Sequence, residues 1–390
     1  MTGGLWFVVE SGTDVRLVEG LAERWPLTIV ARRIAGGREI SQPTAARFSL
    51  HVGPPSFILF GFYVALGVLR ERRRIGSVLV QGYGVAALAA NLAARAAGIP
   101  VVMLVCSPTE AYYRCRRLAG GRRPFRRVEW TGLRLLAWLN ARVGRRYVVL
   151  SRYLASVVRD HGTSRPVDVV PIYGIDRTVF APSAEARDAL RRRLGLPVGA
   201  ALLFFSSRIA AEKDPDTLLA AVGVLRGAGR DVRLLHRSGG YEEFVRRAFR
   251  HGVHEAVIEG PAIPPGPELA DYYRASDVCV QASREEGLGF SPLEALACGV
   301  PVVAAAVGGL RDTIDENTGW SYAPGDVQAL ARAIAHVLDD PQEAGRRTAT
   351  GRALVADIYD REAAFARFAA VVDGGPVAPS APDIHLDAGV

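Results

Sequence analysis

Lysine is almost absent from this chain: of 48 basic residues, 47 are arginine and one, Lys213, is lysine. A coding pressure that replaces lysine by arginine wherever any cation will serve leaves behind only a lysine whose compact, strongly hydrated ammonium is needed, which marks Lys213 as a phosphate ligand. Cysteine is scarce too. Cys106, Cys115, Cys279 and Cys298 show neither metal-ligand spacing nor a disulfide framework, which argues against a zinc module and a stapled secreted domain and predicts buried, reduced thiols. No apolar run reaches the ~20 residues that span a bilayer; the most apolar, Phe57 to Leu69, reads as a core helix. No basic region precedes the first apolar run, Leu5 to Val9, as a secretory signal would require, which predicts a cytoplasmic protein. No Gly-x-Gly-x-x-Gly follows the first strand of either half, which argues against a dinucleotide-dependent dehydrogenase.

What is present is size and apolar content. A chain of 390 residues, 49% hydrophobic, exceeds the ~250–300 residues at which single cores stop growing, so two domains are expected. The net charge of +8 divides unevenly: residues 1–170 hold 25 Arg against 10 acids, residues 171–390 hold 23 basic against 30 acidic residues. A basic half can meet nucleic acid, an anionic membrane or an acidic ligand. No zinc-finger spacing or aromatic RNA-binding signature accompanies it, so no nucleic-acid partner is predicted.

Short runs rich in Val, Ile and Leu alternate with helical patterns. They fall at 5–10, 27–32, 78–82, 101–106 and 147–151, and again at 202–207, 232–238, 257–260, 278–283 and 300–304. Continuous apolar strands separated by helices predict parallel sheets covered on both faces, hence two doubly wound α/β domains. Between them, Pro171 to Phe180 interrupts a strand with Pro and Gly before a new helix begins near Ser183, which is the expected hinge. The expected layout is 1–170, 171–358, a final helix at 359–373 packing back on the first domain, and a disordered tail at 374–390.

In open α/β sheets ligands bind beyond the carboxyl ends of the strands, so strand-to-helix loops carry the chemistry. The loop after 202–207 holds Arg208 and Lys213, a fork and a point charge that can converge on one diphosphate. Arg208 can equally form an ion pair with Glu212 or Asp214. Asp214-Pro215-Asp216 fits a metal-binding Asp-x-Asp but also an N-cap followed by proline at the first helical position. The second loop, Ser283 to Ala304, contains Gly287 and Gly289, which permit close backbone approach, and a helix expected to open at Pro292 with its N–H groups aimed at an anion. Glu286 and Glu294 flank it. Carboxylates accept hydroxyl pairs well and bind phosphate poorly, so the combination suits a sugar nucleotide. Ser291-x-x-Glu294 is also a capping box.

These motifs, in this order over roughly residues 169–340, resemble the retaining glycosyltransferases of family 4 (glycosyl transferases group 1). Arg208-x4-Lys213 matches the family's diphosphate pair, and Glu286-x7-Glu294 followed by Ala295 to Val303 matches its Glu-x7-Glu stretch. Pro171-x-x-Gly174-x-Asp176 with Phe180, Leu269 to Asp277, Val307 to Leu310, Gly319 and Pro324-Gly325-Asp326 match further segments. The resemblance implies the α/β GT-B fold, two Rossmann-like doubly wound parallel-sheet domains facing across a cleft. It implies that Arg208 and Lys213 hold a donor diphosphate, that Glu286 binds the transferred sugar and that Glu294 binds the ribose. Backbone N–H groups of Leu288, Gly289, Phe290 and Ser291 would complete the phosphate cradle, and Ala262 and Ile263 would lie against the nucleobase. The catalytic assignments are Glu286, Arg208 and Lys213. No cofactor and no metal are implied; the donor would be a UDP- or GDP-sugar, and the acceptor a natural product, a glycan, or a lipid-linked or phosphate-bearing molecule.

The amino half matches less closely. Gly12 and Thr13, in Ser11-Gly12-Thr13-Asp14, resemble the family's glycine-containing loop at the donor, although a plain turn capped by Thr13 or Asp14 reads the same. Where many relatives carry histidine after the strand at 101–105, this chain has Cys106 and Ser107. These two, with Glu110 and His51, are the acceptor-side candidates, although a satisfied structural histidine is the plainer reading of His51. Arg114, Arg116, Arg117, Arg122, Arg123, Arg126 and Arg127, interleaved with Tyr112, Tyr113, Phe125 and Trp130, suggest peripheral contact with an anionic membrane at its inner face; a solvated loop enriched in arginine is the alternative. A nucleotide-sugar epimerase on the same fold and a non-catalytic sugar-nucleotide-binding or membrane-adapter protein are the rival functions.

Overall fold

The computed structural model describes residues 3–34, 48–118, 126–258 and 260–375. Most of the tail expected at 374–390 therefore lies outside the described residues, as do Arg122, Arg123 and Phe125.

The chain divides into two compact units, one made of Met1–Cys106, Thr131–Gly174 and Arg361–Val390, the other of Ser107–Trp130 and Ile175–Asp360. The first unit holds β1 (Gly4–Val9), β2 (Leu27–Arg32), β3 (Ser49–Gly53), β4 (Ile75–Gln81), β5 (Val101–Val105), β6 (Tyr147–Val149) and β7 (Val167–Val169). They form one sheet in the order β3-β2-β1-β4-β5-β6-β7, and every pairing is parallel. Phe7, Val8, Leu79, Met103, Leu104 and Val148 are fully or almost fully buried, because helices on both faces shut the sheet from water. The Arg361–Val372 helix belongs to this unit; the Phe365 ring occupies the space a side chain at Gly20 would need, 2.0 Å from its Cβ position.

The second unit holds β8 (Ala201–Phe205), β9 (Val232–His236), β10 (Val257–Ile258), β11 (Val278–Gln281), β12 (Val302–Ala305) and β13 (Trp320–Tyr322) in the order β10-β9-β8-β11-β12-β13. These pairings are parallel as well. The strand order reverses direction at β8 and β11, and the crevice beyond their carboxyl ends is where a doubly wound sheet accepts a ligand.

All ten apolar runs are strands, one of them (27–32) with both ends as expected and the others with at least one end shifted, by up to three residues. β3 and β13 carry exposed Ser49, His51 and Ser321 at alternate positions, so a search for continuous apolar runs passes over them. One expectation is corrected. Phe57–Arg70 is a helix, but not a core helix. Phe60, Gly61, Val64 and Val68 are buried, whereas Phe57, Ile58, Leu59, Phe62, Leu66 and Leu69 are exposed. The thiols are free, Cys279 and Cys298 buried, but Cys106 and Cys115 only half-buried, at the mouth of β5 and on the Thr109–Leu118 helix.

Candidate functional site

The site in the second unit is built where β8 and β11 end. Ser206 and Ser207 follow β8, and Ala211–Lys213 forms a single 3-10 turn that lifts Lys213 over the crevice. The loop after β11 is laced to this turn, because the Arg284 N–H donates to the Glu212 carbonyl at 2.8 Å. The Arg284 guanidinium also reaches Asp214 at 2.9 Å.

The Lys213 ammonium forms an ion pair with the Glu286 carboxylate. Both side chains are mostly buried. On the same Glu286 oxygen, Oε2, the Gln281 amide donates at 2.9 Å and the Ser283 hydroxyl at 3.2 Å, while the Tyr112 hydroxyl reaches Oε1 at 3.4 Å. Gln281 is itself oriented by Ser207, which donates to its carbonyl oxygen at 3.0 Å. An aimed carboxylate therefore stands beside the lone ammonium, fixed by Gln281 at the end of β11, Ser283 just after it and Tyr112 from the Thr109–Leu118 helix.

Arg208 is more exposed and is held by Glu212, the fully buried carboxylate of the turn. Arg208 Nη2 donates to Glu212 Oε1 at 3.2 Å, and Arg116 donates to both oxygens at 2.6 and 3.0 Å. Burial alone would raise the Glu212 pKa, but the Arg116 hydrogen bonds and the charges of Arg116 and Arg208 hold it below the usual carboxylate range. Tyr112 and Arg116 are four residues apart on one face of Thr109–Leu118. Burial, then the negative charges of Glu286 and Glu212, push the Tyr112 phenol far above its ordinary value, so it stays a donor.

The second loop continues through a cradle of glycines. Gly289 has φ of +93°, the left-handed region that glycine tolerates. Phe290–Ala297 then begins as a helix, two residues before the expected start, so Pro292 sits inside the first turn, where its missing N–H costs nothing. A Cβ on Gly309 would lie 2.1 Å from the Gly287 carbonyl oxygen, so only glycine lets the 308–312 turn press against this loop, where its N–H donates to the Glu286 carbonyl at 3.0 Å. Leu288, Gly289, Phe290 and Ser291 thus run along the crevice as backbone.

Two capping expectations are corrected. Ser291 and Glu294 do not form a capping box: the Ser291 hydroxyl meets Ser206 at 2.9 Å, and Glu294 accepts from the buried Tyr273 hydroxyl at 2.8 Å, which also meets Ser206 at 2.7 Å. Burial and the Glu294 charge keep Tyr273 protonated. Asp214 precedes Pro215 at the helix start, but its carboxylate takes the Thr217 hydroxyl at 2.6 Å and Arg284, not a backbone N–H. Asp216 turns to Arg247 and His251. Among the described residues no three His, Cys, Asp or Glu side chains cluster as a metal site.

Ala262 and Ile263 follow β10, and the Ile263 N–H donates to the Arg237 carbonyl at 3.0 Å beside β9. The Arg237 guanidinium lies 5.0 Å over the Tyr272 ring and donates to the Ile258 carbonyl at 3.0 Å. Ser107 and Glu110 belong to the second unit, Glu110 in the first turn of the helix that carries Tyr112. Of the seven clustered arginines, Arg116 is held by Glu212, and Arg117 and Arg126 by Glu129, at 2.8 and 3.4 Å.

In the first unit, Gly12 and Thr13 form the loop after β1, and the Thr13 hydroxyl oxygen is buried without a hydrogen-bond partner. Asp14 is the cap of the next helix, accepting from the Arg16 N–H at 2.9 Å. Cys106 directly follows β5; although the residue is half-buried, desolvation of its thiol, with the Asp14 charge adding to it, pushes it up to about 12. His51 is exposed in the middle of edge strand β3, edge-on to Trp6 at 6.1 Å. Glu10, which the sequence did not single out, directly follows β1 and its carboxylate accepts from the Ala86 N–H at 2.5 Å at the start of Val85–Ala97, an acidic group at a helix amino end. Its pKa is raised by burial, against the pull of that N–H and of Arg32.

Residues 186–353 match the family model of glycosyl transferases group 1. The chain is 34% identical over 304 residues to the 2-deoxystreptamine glucosyltransferase of Streptomyces kanamyceticus, covering 75% of this chain and 76% of that one. It is 39% identical over 195 residues to the D-inositol 3-phosphate glycosyltransferase of Xylanimonas cellulosilytica, covering 48% and 46%. The matched stretch spans about half the length of the D-inositol 3-phosphate relatives, 46% and 58% in two of them. The fold superposes on Anabaena Alr3699/HepE, solved in complex with UDP, with a TM-score of 0.76 at 17% identity over 95% of this chain and 100% of that one. The architecture is therefore of the GT-B type, α/β with two Rossmann-like doubly wound parallel sheets.

Proposed function

Because this chain belongs to the glycosyl transferases group 1 family, we propose that it is a retaining, metal-independent, cytoplasmic glycosyltransferase of family 4 that moves a sugar from a UDP- or GDP-sugar to a hydroxyl of a small polyhydroxylated acceptor. The observation that carries this reading is the second-unit cluster in which Lys213, the one lysine of the chain, and Arg208 stand with Glu286 beside the Gly287 to Ser291 backbone.

On this reading donor binding exchanges the Lys213–Glu286 ion pair for contacts to ligand. Lys213 and Arg208 take the diphosphate, and Glu286, still oriented by Gln281 and Ser283, accepts hydroxyls of the sugar. As the bond from the anomeric carbon to the diphosphate breaks, its electron pair goes to the phosphate oxygen, and stabilising that charge is the main electrostatic task. The acceptor hydroxyl bonds to the anomeric carbon on the face the phosphate leaves, its proton passing to the departing phosphate, so no protein nucleophile is required. Glu294 takes the ribose hydroxyls, and Ala262 and Ile263 flank the base. Relatives named for D-inositol 3-phosphate and 2-deoxystreptamine support a cyclic polyol as acceptor.

Purified chain incubated with chelator, a panel of UDP- and GDP-sugars and cyclitol acceptors should form product whose anomeric configuration, read by NMR, equals that of the donor. Inverted product contradicts retention, and transfer abolished by chelator contradicts metal independence. Sugar epimerised without any acceptor favours the epimerase reading instead.

A further inference from the structure

From Phe57 to Leu69 no residue is charged, and a helix apolar all round is ordinarily buried all round. Among the described residues one side alone is covered: Gly61 brings the helix within 3.0 Å of Val85, measured from its Cβ position, and Phe60, Val64 and Val68 face the interior. At 3.6 residues per turn, Ile58, Leu59, Phe62, Leu66 and Leu69 share the opposite face. Phe62 is 70% exposed and Ile58 63%. A contiguous apolar stripe of this kind marks an interaction surface.

Its rim is cationic. At the amino end the Arg32 guanidinium lies 4.0 Å over the Phe57 ring and donates to the Pro55 carbonyl at 2.8 Å. At the carboxyl end come Arg70, Arg72, Arg73 and Arg74, with Glu71 the one acid among them, 3.4 Å from Arg74. A second copy of this chain laid against the stripe would set arginine against arginine in the antiparallel and the parallel orientation alike. An anionic lipid surface presents the complementary charge around an apolar interior. The helix of 14 residues rises ~21 Å, too short to span a bilayer, which suits it to lie in the interface plane.

We propose that the exposed face of Phe57–Arg70 docks on an anionic membrane, its apolar side chains sinking to the headgroup boundary and Arg32, Arg70, Arg72 and Arg73 contacting lipid phosphates. This contact is independent of the transferase chemistry, since none of its residues belongs to the donor site. It differs from the arginine-rich stretch 114–127, where Arg116, Arg117 and Arg126 are engaged by Glu212 and Glu129.

The test is flotation of the full chain with vesicles of phosphatidylglycerol and phosphatidylcholine, or of phosphatidylcholine alone, at low and high salt. The wild type should float with the anionic vesicles and be released by salt. Arg70→Gln/Arg72→Gln/Arg73→Gln should lower partitioning about a hundredfold, and Ile58→Ser/Phe62→Ser/Leu66→Ser, which spares the buried Phe60, Val64 and Val68, should abolish it. As a measurement independent of whether that triple variant folds, the added emission of Phe62→Trp should shift to the blue on anionic vesicles. Absence of wild-type binding, undiminished binding by the folded serine variant, or an unshifted Phe62→Trp signal overturns the proposal. A serine variant that splits a self-associated species, with no vesicle binding by the wild type, assigns the face to a second copy instead and equally overturns it.

Discussion

Replacing Glu212 by glutamine tests how the cationic side of the site is held. Its carboxylate is fully buried and receives three charged hydrogen bonds, at 2.6, 3.0 and 3.2 Å, from Arg116 and Arg208. Removing one member of a fully buried ion pair costs ~3–5 kcal/mol, but both arginines are about half-exposed and water can take over part of their solvation. The retained amide oxygen also keeps one acceptor. A loss of ~2 kcal/mol is therefore expected, and at ~2–4 °C per kcal/mol for a unit of this size the Tm of the second unit should fall by roughly 4–8 °C. The sign of the pH dependence follows from the lowered pKa of Glu212. Its stabilisation is fully present above the unfolded carboxyl value of ~4.3 and is lost as pH falls through the lower folded value. The Tm gap between wild type and Glu212→Gln should thus be widest near neutrality and close in acid. With Arg208 released from its mooring, kcat/KM should drop about tenfold. Calorimetric scans at neutral and acid pH give the answer: an unchanged Tm at neutral pH, or a gap that persists undiminished in acid, refutes the reasoning.

Other substitutions probe other parts of the site. Lys213→Ala removes the one ammonium and should lower turnover on the order of a hundredfold or more with an unaltered circular dichroism spectrum; normal turnover in the folded variant contradicts its role. Gly309→Ala places a methyl 2.1 Å from the Gly287 oxygen, which should cost ~1–3 kcal/mol and displace the Glu286 loop, read as a lower Tm together with weaker nucleotide binding in calorimetry. Tyr273→Phe leaves Glu294 and Ser206 short of a buried hydroxyl partner, for an expected loss of ~1–3 kcal/mol in urea unfolding; a neutral result means water replaces it at no cost.

Strands of a doubly wound sheet are covered on both faces, so their sequences are nearly unbroken apolar runs, and that is why β1, β2, β8 and β9 could be placed from sequence with small shifts. The same criterion misread Phe57–Arg70. Composition reports how apolar a segment is, not whether the fold supplies a neighbour for each side of it. In the candidate site, Arg208, Lys213 and Glu286 stood out by type and spacing within two loops. Their supports did not: Gln281 lies at the end of β11, Ser206 and Ser207 follow β8, Tyr273 comes from the Pro267–Ala275 helix, and Tyr112 and Arg116 lie about a hundred residues before Glu212. No local pattern joins residues that meet only across a sheet edge. Ser291 and Glu294 carried a valid local signature that tertiary partners outbid, Ser206 for the hydroxyl and Tyr273 for the carboxylate.

A crystal structure of the chain with UDP or GDP and an unreactive donor sugar bears on the whole account most directly. The diphosphate should lie within hydrogen-bonding distance of Arg208 and Lys213 along the Leu288 to Ser291 backbone, with Glu286 released from Lys213 and turned to the sugar hydroxyls. Nucleotide bound away from these side chains, with the Lys213–Glu286 pair intact, would contradict it.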